Sequence, residues 1–305
     1  MNRRRPGVVG ALARIIAPLG HAAVARSTPT PEAIADVAAE FAERDIDILA
    51  LNGGDGTNHV TLTEFIRVWG DRPLPRLLLL RGGTMNTVAR GMGVVRGRPT
   101  TLLLRTVEAL RHGADVPSVE FDLLRVATDQ GHPQYGFIFG NGLISNFLDV
   151  YYSYREPSPW VGFKVLCRAT VAAATGGAAA ERFFRRVTAD VSLDDKPWAR
   201  RDWLSVTAAT VPEIGLGFRP WHRANERPGH LHSVGFGCGP LGVVASLPAV
   251  RLGLPPSNPR IVDAVCSRLE LRYDRPQGFI VDGDYHAPVK AVNLTAGPRV
   301  TILTP

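Results

Sequence analysis

Two periodicities of hydrophobic and polar positions divide the chain near residue 117. In the first part, apolar residues recur every three or four positions and predict helices at 8–16, 30–45, 59–69 and 99–113, with another from about Thr87. Short apolar runs predict buried strands at 46–51 and 75–80, and a short strand is also predicted at 21–27. Because strands and helices alternate, residues 1–117 are predicted to form a doubly wound α/β domain.

After residue 117 the period changes to two, which is typical of strands with one buried face. Such segments recur with turn residues between them at 118–128, 134–142, 185–195, 202–210, 230–237, 267–274, 278–289 and 291–303. One helical segment, at 158–175, interrupts them. Residues 118–305 are therefore predicted to form an antiparallel β-sandwich, whose last strand is a candidate to return to the first domain.

Two glycine-rich segments, "NGGDGT" at 52–57 and "RGGTMN" at 81–86, each follow a predicted strand and precede a predicted helix. Loops at this place form the ligand sites of open α/β sheets. Glycine lets the backbone approach a ligand, and successive N–H groups bind anions together with the positive end of the next helix. The pair predicts a polyphosphate site; the alternative is that the loops only connect elements. Asp55 argues against that alternative, because a carboxylate beside an anion needs a metal ion or a proton.

Other phosphate-binding and catalytic motifs do not fit the sequence. It contains no G-x-x-x-x-G-K-[ST], no G-x-S-x-G and no H-E-x-x-H. "GCGPLG" at 237–242 matches G-x-G-x-x-G, but Pro240 lies inside it and the segment that follows is rich in proline. We therefore expect a connecting loop of the sandwich there, without a helix.

Composition limits the class of protein further. The net charge is +7, but the basic residues are mostly arginine and form no block beyond residues 3–5, which disfavours nucleic-acid binding. Three separated cysteines indicate neither disulfides nor a zinc site, so a reducing, cytoplasmic location is expected. The eight histidines show no metal-ligand spacing. No membrane-spanning segment is expected, although the charge favours contact with an anionic membrane surface.

The two loops together resemble a known family. "NGGDGT" followed by "LLRGGTMNTVARGMG" is similar to the catalytic domain of diacylglycerol kinases and bacterial lipid kinases, a superfamily shared with sphingosine and NAD kinases. A third family element near the C-terminus, D-G-E, appears here as Asp282-Gly283-Asp284. The resemblance implies a nucleotide-binding α/β domain followed by a β-sandwich that carries the lipid site, with ATP and Mg²⁺ as cofactors.

The resemblance also implies nucleotide contacts for particular residues. The family spacing selects Thr28 before the first loop, with Thr30 as the competing residue and an ordinary turn as the alternative for Thr28. The remaining implied nucleotide contacts are Gly53, Gly54, Asp55, Gly56, Thr57, Gly83, Thr84 and Asn86.

A carboxylate near the C-terminus is implied to be the general base. Asp284 stands where the family's glutamate deprotonates or orients the lipid hydroxyl, with Asp282 and Asp55 as supporting catalytic carboxylates and candidates to hold Mg²⁺. The alternative for "DGD" is a tight turn between two strands.

Three departures from the family pattern bear on activity. Asp284 is shorter than glutamate by one methylene, which can misplace a base by about 1 Å. The carboxylate pair of a family metal segment is replaced by Glu226-Arg227-Pro228, so a second metal site is expected to be absent. The family's opening strand and Asn-Pro turn would precede "MNRRRPG", so we expect the true start to lie upstream.

The sequence therefore predicts an ATP-dependent lipid kinase that acts on a hydroxyl of diacylglycerol or a related lipid. The alternatives are a catalytically impaired nucleotide or lipid sensor of the same fold, and a superfamily kinase acting on a sphingoid base or NAD. The expected partners are ATP, a membrane lipid and a second copy of the chain, without nucleic acid. An aromatic and cationic segment around Trp160, Phe163 and Lys164 is a candidate for peripheral contact with the inner membrane face, or a helix packed on the sandwich.

Overall fold

The computed structural model describes residues 6–305. Its α-helices are α1 (Pro6–Ile16), α2 (Pro31–Glu43), α3 (Asp55–Trp69), α4 (Thr87–Gly91), α5 (Pro99–Arg111), α6 (Leu143–Tyr152), α7 (Pro159–Thr175), α8 (Gly177–Phe183) and α9 (Pro240–Leu252). Its strands are β1 (Ile48–Leu51), β2 (Arg76–Leu79), β3 (Ser118–Thr128), β4 (Gln134–Gly136), β5 (Ile138–Asn141), β6 (Val187–Leu193), β7 (Lys196–Pro197), β8 (Asp202–Trp203), β9 (Ser205–Ala209), β10 (Leu231–Phe236), β11 (Ile261–Cys266), β12 (Arg268–Val281) and β13 (Asp284–Leu303). The arginines at 3–5, and with them most of the segment expected to follow a missing strand, lie outside the described residues.

The chain divides into two compact units, of which the first contains the residues up to Phe121 together with Arg299–Pro305. In this unit β1 and β2 are parallel neighbours, and the end of β13 runs parallel to β2, with Ile302 opposite Leu77. The predicted parallel α/β arrangement is therefore confirmed, and its sheet includes a strand from the C-terminal end of the chain.

Both faces of strand β2 are buried, as its uninterrupted apolar run predicts. Leu78 and Leu80 pack in one cluster with residues of α1 and α5 and with Leu303. Leu77 and Leu79 point to the opposite face and are also buried, because successive side chains of a strand alternate between faces. This burial places the loop after β2 at the end of a strand that is packed on both faces.

The strand predicted at 21–27 is wrong. A 3₁₀-helix occupies Ala17–Ala22, the next residue Ala23 is extended, and residues 23–29 join no strand of the sheet. This segment is mostly exposed and contributes little to the core. It is attached to α2 by side chains, since the Arg26 guanidinium donates hydrogen bonds to both carboxylate oxygens of Glu40 at 2.7 and 2.8 Å.

The second unit, Asp122–Pro298, is rich in antiparallel strands, as predicted. Its strands pair in the order β13-β12-β5-β9-β10-β11, and β6 pairs with the first half of β12. Alternate residues of β6, such as Val187 and Val191, face a core that also contains the fully buried Trp203. The helix predicted at 158–175 is confirmed as α7.

The loop expected at "GCGPLG" is wrong, because helix α9 begins at Pro240. Proline suits the first turn of a helix, where its missing N–H would have no acceptor. A second proline, Pro248, lies inside the helix, so tertiary packing outweighs its low propensity. Helices α6 and α8 and strand β11 were also not predicted, although residues 143–152 do carry apolar side chains at helical spacing.

Candidate functional site

The two glycine-rich loops contact each other at the ends of the parallel strands β1 and β2. A Cβ atom placed on Gly83 would lie 2.3 Å from the Cα of Gly54, and one placed on Gly54 would lie 3.2 Å from the Cα of Gly83. The first distance is shorter than any ordinary contact, so the approach requires glycine at position 83. The structure therefore brings the two predicted phosphate loops together, backbone against backbone.

The first loop leads directly into helix α3. Gly54 is the residue before the helix and provides no side-chain cap, so the N–H groups of its first turn, which includes Gly56 and Thr57, lack a capping side chain. Such uncapped groups bind anions, with support from the helix dipole. Gly53 is required for packing, because a Cβ there would lie 2.3 Å from the Cβ of Thr57.

Asp55 joins the first loop to the second. Its carboxylate accepts hydrogen bonds from the backbone N–H groups of Thr87 at 2.8 Å and Val88 at 3.1 Å. These groups belong to the first turn of α4, so the side chain caps that helix from outside. Burial raises the pKa of Asp55, although these hydrogen bonds and the charge of Arg90 oppose the shift. The carboxylate thus has a structural task that sequence reasoning did not assign to it.

Asn86 closes the second loop on itself. Its backbone is left-handed, with φ of 47°, a conformation that asparagine tolerates better than most residues. Its side-chain amide donates to the carbonyl of Gly83 at 2.8 Å and accepts from the N–H of Gly83 at 2.9 Å. Thr84, between them, is exposed. The amide of Asn86 therefore holds the loop in its shape, and Thr84 is exposed to solvent.

Thr28 and Thr30 have different places at the start of α2. The hydroxyl of Thr30 accepts a hydrogen bond from the N–H of Ala33 at 3.3 Å, which makes Thr30 the helix cap. Thr28 lies two residues earlier, in the segment that precedes α2, and is half-buried. The capping task is thus filled by Thr30, and Thr28 stays the candidate nucleotide contact.

In the second unit, Asp282 and Gly283 form the two-residue turn of the hairpin between β12 and β13. Val281 pairs with Asp284 across it, and φ is 49° at Asp282 and 90° at Gly283, as tight hairpins of mirror-image type require. The tight turn expected as the alternative for "DGD" is therefore present. It places its two carboxylates in different environments.

The Asp282 carboxylate is buried and bonded to the backbone. It accepts from the N–H of Phe137 at 3.0 Å and from the N–H of Ile138 at 2.8 Å, and the residue is only 6% exposed. These bonds anchor the turn to the start of β5. Asp282 therefore fixes the position of the hairpin turn that is followed directly by Asp284.

Asp284 is half-buried, and burial raises its carboxyl pKa against the opposing charge of His286. Tyrosines surround the turn beside it. A Cβ on Gly283 would lie 3.3 Å from the hydroxyl of Tyr152, and the hydroxyl of Tyr285 donates to the carbonyl of Ser145 at 2.8 Å. Sequence reasoning missed these contacts, although the helical periodicity of α6 was a signal that could have shown them.

Comparison with known proteins agrees with these loops. Residues 4–119 match the family model of the diacylglycerol kinase catalytic domain. The chain is similar to the crystal structure of a diacylglycerol kinase from Bacillus anthracis str. Sterne, with a TM-score of 0.63, 15% identity, and 97% of this chain and 91% of that chain covered. It is also similar to an NAD kinase from Archaeoglobus fulgidus in complex with ATP, with a TM-score of 0.50, 11% identity, and 97% and 89% covered. No curated protein matches the sequence.

These comparisons confirm the resemblance inferred from the motifs. Over residues 4–119 the chain resembles the diacylglycerol kinase catalytic domain, and the likeness to the solved structures, at such low identity, shows a shared fold over nearly the whole chain. Among the helices of residues 6–305, none combines the length and apolar character needed to cross a bilayer.

Proposed function

We propose that this protein is an ATP- and Mg²⁺-dependent lipid kinase, which transfers the γ-phosphate of ATP to a hydroxyl of diacylglycerol or a related lipid. The observation that carries the proposal is the backbone contact between Gly54 and Gly83 at the ends of two parallel strands. The family match over residues 4–119 supports the kinase class. The lipid acceptor is proposed from the family resemblance.

The glycine loops would hold the phosphates of ATP. In this proposal the N–H groups at the start of α3, from Gly54 to Thr57, bind phosphate oxygens with the helix dipole behind them. The second loop contributes backbone groups around Gly83 and the exposed Thr84, in the shape that Asn86 imposes. Thr28 adds a contact from the segment before α2.

Asp55 is the better candidate of the two carboxylates for Mg²⁺. Each of its oxygens accepts one backbone hydrogen bond, which leaves lone pairs that a hard cation or its bound water can use. The buried Asp282 is engaged by the backbone of two residues, so we assign it to positioning the hairpin. When bound, Mg²⁺ supplies charge neutralisation to the phosphates.

Asp284 is the proposed general base. Burial raises the pKa of its carboxyl, and a raised pKa strengthens a carboxylate as a proton acceptor near neutral pH. The acceptor hydroxyl gives its proton to Asp284 as its oxygen bonds to the γ-phosphorus, and ADP leaves with the electrons of the broken bond. Asp282 fixes the turn that carries this base.

Phosphate transfer from labelled ATP to a mixed lipid extract with Mg²⁺ tests the proposal. We expect phosphorylated lipid with the native chain, and its loss with Asp284→Ala and with Asp55→Ala. The exposed loop carboxylates Asp71 and Asp129 provide matched controls, since Asp71→Asn and Asp129→Asn should retain full activity. Nucleotide binding without any phosphorylated product would overturn the kinase proposal.

That last result would favour a nucleotide or lipid sensor of the same fold, which the replacement of the family's carboxylate pair by Glu226-Arg227-Pro228 motivates. A superfamily kinase is the other alternative. It is tested by replacing the lipid extract with a sphingoid base or NAD, since an NAD kinase shares the fold. Phosphorylated product from a sphingoid base or from NAD, with none from the lipid extract, would exclude diacylglycerol-type lipids as the acceptor. A cytoplasmic location, contact with the inner membrane face and a homodimer remain predictions.

A further inference from the structure

A long connection in the second unit carries a histidine whose ring packs against a histidine of the sheet. Residues 210–230 join β9 to β10, a length at which loops usually have a function of their own. His222 lies near the middle of this connection and is half-buried. Its ring lies 5.0 Å from the ring of His232, centroid to centroid, and nearly perpendicular to it.

Asp263 on β11 completes a cluster with these two histidines. In the antiparallel pair of β10 and β11, Asp263 lies opposite Val234 and His232 lies opposite Val265. His232 and Asp263 are therefore diagonal neighbours on one face of the sheet, within side-chain reach. The Nε2 atom of His232 is 2.9 Å from Oδ2 of Asp263, and the Nδ1 atom of His222 is 3.7 Å from the same oxygen.

These distances fit the ligands of one metal ion. With metal–ligand bonds of about 2.0–2.2 Å, the donor atoms of a tetrahedral zinc site lie roughly 3.3 Å apart. The two measured separations lie on either side of that value, and all three donor atoms lie within 4.8 Å of one another. Small side-chain rotations would suffice to bring the donors to bonding distance.

The surroundings of the cluster also suit a cation. The Nδ1 atom of His222 is buried without a hydrogen-bond partner, a costly state that a metal bond would relieve. Arg223, the nearest cation on the same segment, pairs with Glu226 at 2.7 Å.

We propose that His222, His232 and Asp263 form a binding site for a divalent transition metal, with Zn²⁺ the best match, which fastens the 210–230 connection to strands β10 and β11. Two imidazole nitrogens and one carboxylate are ligands that Zn²⁺ accepts, whereas Mg²⁺ prefers oxygen ligands only. The side chains of His222 and Asp263 are 14% and 18% exposed, which leaves room for water as a fourth ligand. To bind the metal through Nε2, His232 carries its proton on Nδ1, so the long 3.4 Å hydrogen bond that Nδ1 accepts from the N–H of Arg223 is lost.

Calorimetric titration of the chelator-treated full chain with ZnCl₂, without nucleotide, tests the site. We expect one tight equivalent of Zn²⁺, no comparable binding of Mg²⁺, and visible absorption bands of low-symmetry Co²⁺ when Co²⁺ replaces Zn²⁺. His222→Ala and Asp263→Asn should each weaken Zn²⁺ binding at least tenfold. Zn²⁺ should also protect the 210–230 connection from proteolysis in the native chain and not in these variants.

Matched controls separate this site from adventitious binding. His230→Ala removes a histidine two residues from His232, and Cys167→Ser removes an exposed thiol, and both should bind Zn²⁺ as the native chain does. His222 lies on a loop, so His222→Ala is expected to keep the native circular dichroism. No tight equivalent in the native chain, or equal affinity in His222→Ala and Asp263→Asn, would overturn the proposal.

Discussion

The carboxylate of Asp282 accepts a hydrogen bond of 2.8 Å from the backbone N–H of Ile138, which joins the β12–β13 hairpin turn to the start of β5. The same side chain accepts from the N–H of Phe137. One buried side chain thus fixes the position of the turn that presents Asp284. The two aspartates of the "DGD" element therefore have different roles. Asp282 supports the fold, and Asp284 is the proposed general base.

Replacing Asp282 should destabilise the fold. Asp282→Ala leaves two buried N–H groups without an acceptor, which should lower the free energy of unfolding by about 2–3 kcal/mol. Asp282→Asn should cost less, since its amide oxygen can still accept. Urea denaturation with Asp129→Asn as the exposed control measures both effects. An unfolding free energy of Asp282→Ala equal to that of the control would contradict the anchoring role.

The contact between the glycine loops makes position 83 intolerant of a side chain. Gly83→Ala would place a Cβ 2.3 Å from the Cα of Gly54, so the loops must separate, and we expect ATP affinity to fall at least tenfold. Gly10→Ala is the matched control, because nothing lies within 4 Å of a Cβ at that helical position. Equilibrium binding of a fluorescent ATP analogue compares the two, and unchanged affinity in Gly83→Ala would count against a phosphate site at this contact.

Two threonines near the start of α2 should respond differently to the same substitution. Thr30→Ala removes the helix cap and should lower the free energy of unfolding by about 1 kcal/mol. Thr28→Ala should leave stability nearly unchanged while weakening ATP binding. Thermal unfolding and ATP titration of both variants provide the comparison. Unchanged ATP affinity in Thr28→Ala would make Thr28 an ordinary turn residue.

The pH dependence of phosphate transfer should report the ionisation of Asp284. The proposed base acts as the carboxylate, and burial raises its pKa, so kcat/KM should fall as pH decreases through a pKa above the ordinary aspartate value of about 3.9. Asp284→Asn should abolish this acidic limb together with most of the activity. Asp284→Glu, which restores the longer side chain of the family, tests the length of the base. An acidic limb that persists in Asp284→Asn would assign the ionisation to another group.

Helix α7 presents an aromatic and cationic face that should bind anionic membranes. Trp160 and Phe163 are 62% and 48% exposed, their rings stack 5.4 Å apart, and the Lys164 ammonium lies 5.6 Å from the Trp160 ring. We expect co-sedimentation with vesicles that contain phosphatidylglycerol, and a severalfold loss in a Trp160→Ala/Phe163→Ala variant. Leu110→Ala removes an exposed apolar residue of α5 and should bind as the native chain does. Equal binding by all three proteins would contradict this prediction.

The sequence predicted most elements whose pattern is local. Apolar runs located β1 and β2, and the period of two located most strands of the second unit. This works because the burial of one or both faces of a strand determines which of its residues are apolar. The segment at 21–27 contains similar residues but no partner strand, and its attachment to α2 through Arg26 is a tertiary contact. Helix α9 was missed since Pro240 lies at its first turn, where proline is favoured.

The candidate sites show the same difference between features that a local pattern reveals and features that depend on tertiary contacts. The glycine loops were visible because their motif is contiguous, whereas the hydrogen bonds from Thr87 and Val88 to Asp55 depend on the approach of two separate loops. The cluster of His222, His232 and Asp263 combines a loop with two strands, so no spacing along the chain indicates it. Only the register of β10 and β11 brings His232 and Asp263 to one face.

The C-terminal end of the chain also constrains how the protein is made. Ile302 pairs with Leu77, and Leu303 belongs to the core of the first unit, although synthesis proceeds from the other end. While the ribosome is still translating the second unit, the N-terminal unit lacks a strand and exposes an edge of β2. Folding of the N-terminal unit is therefore complete only after residues 299–305 have been synthesised, and until then the open edge of β2 is exposed to aggregation or to chaperone binding.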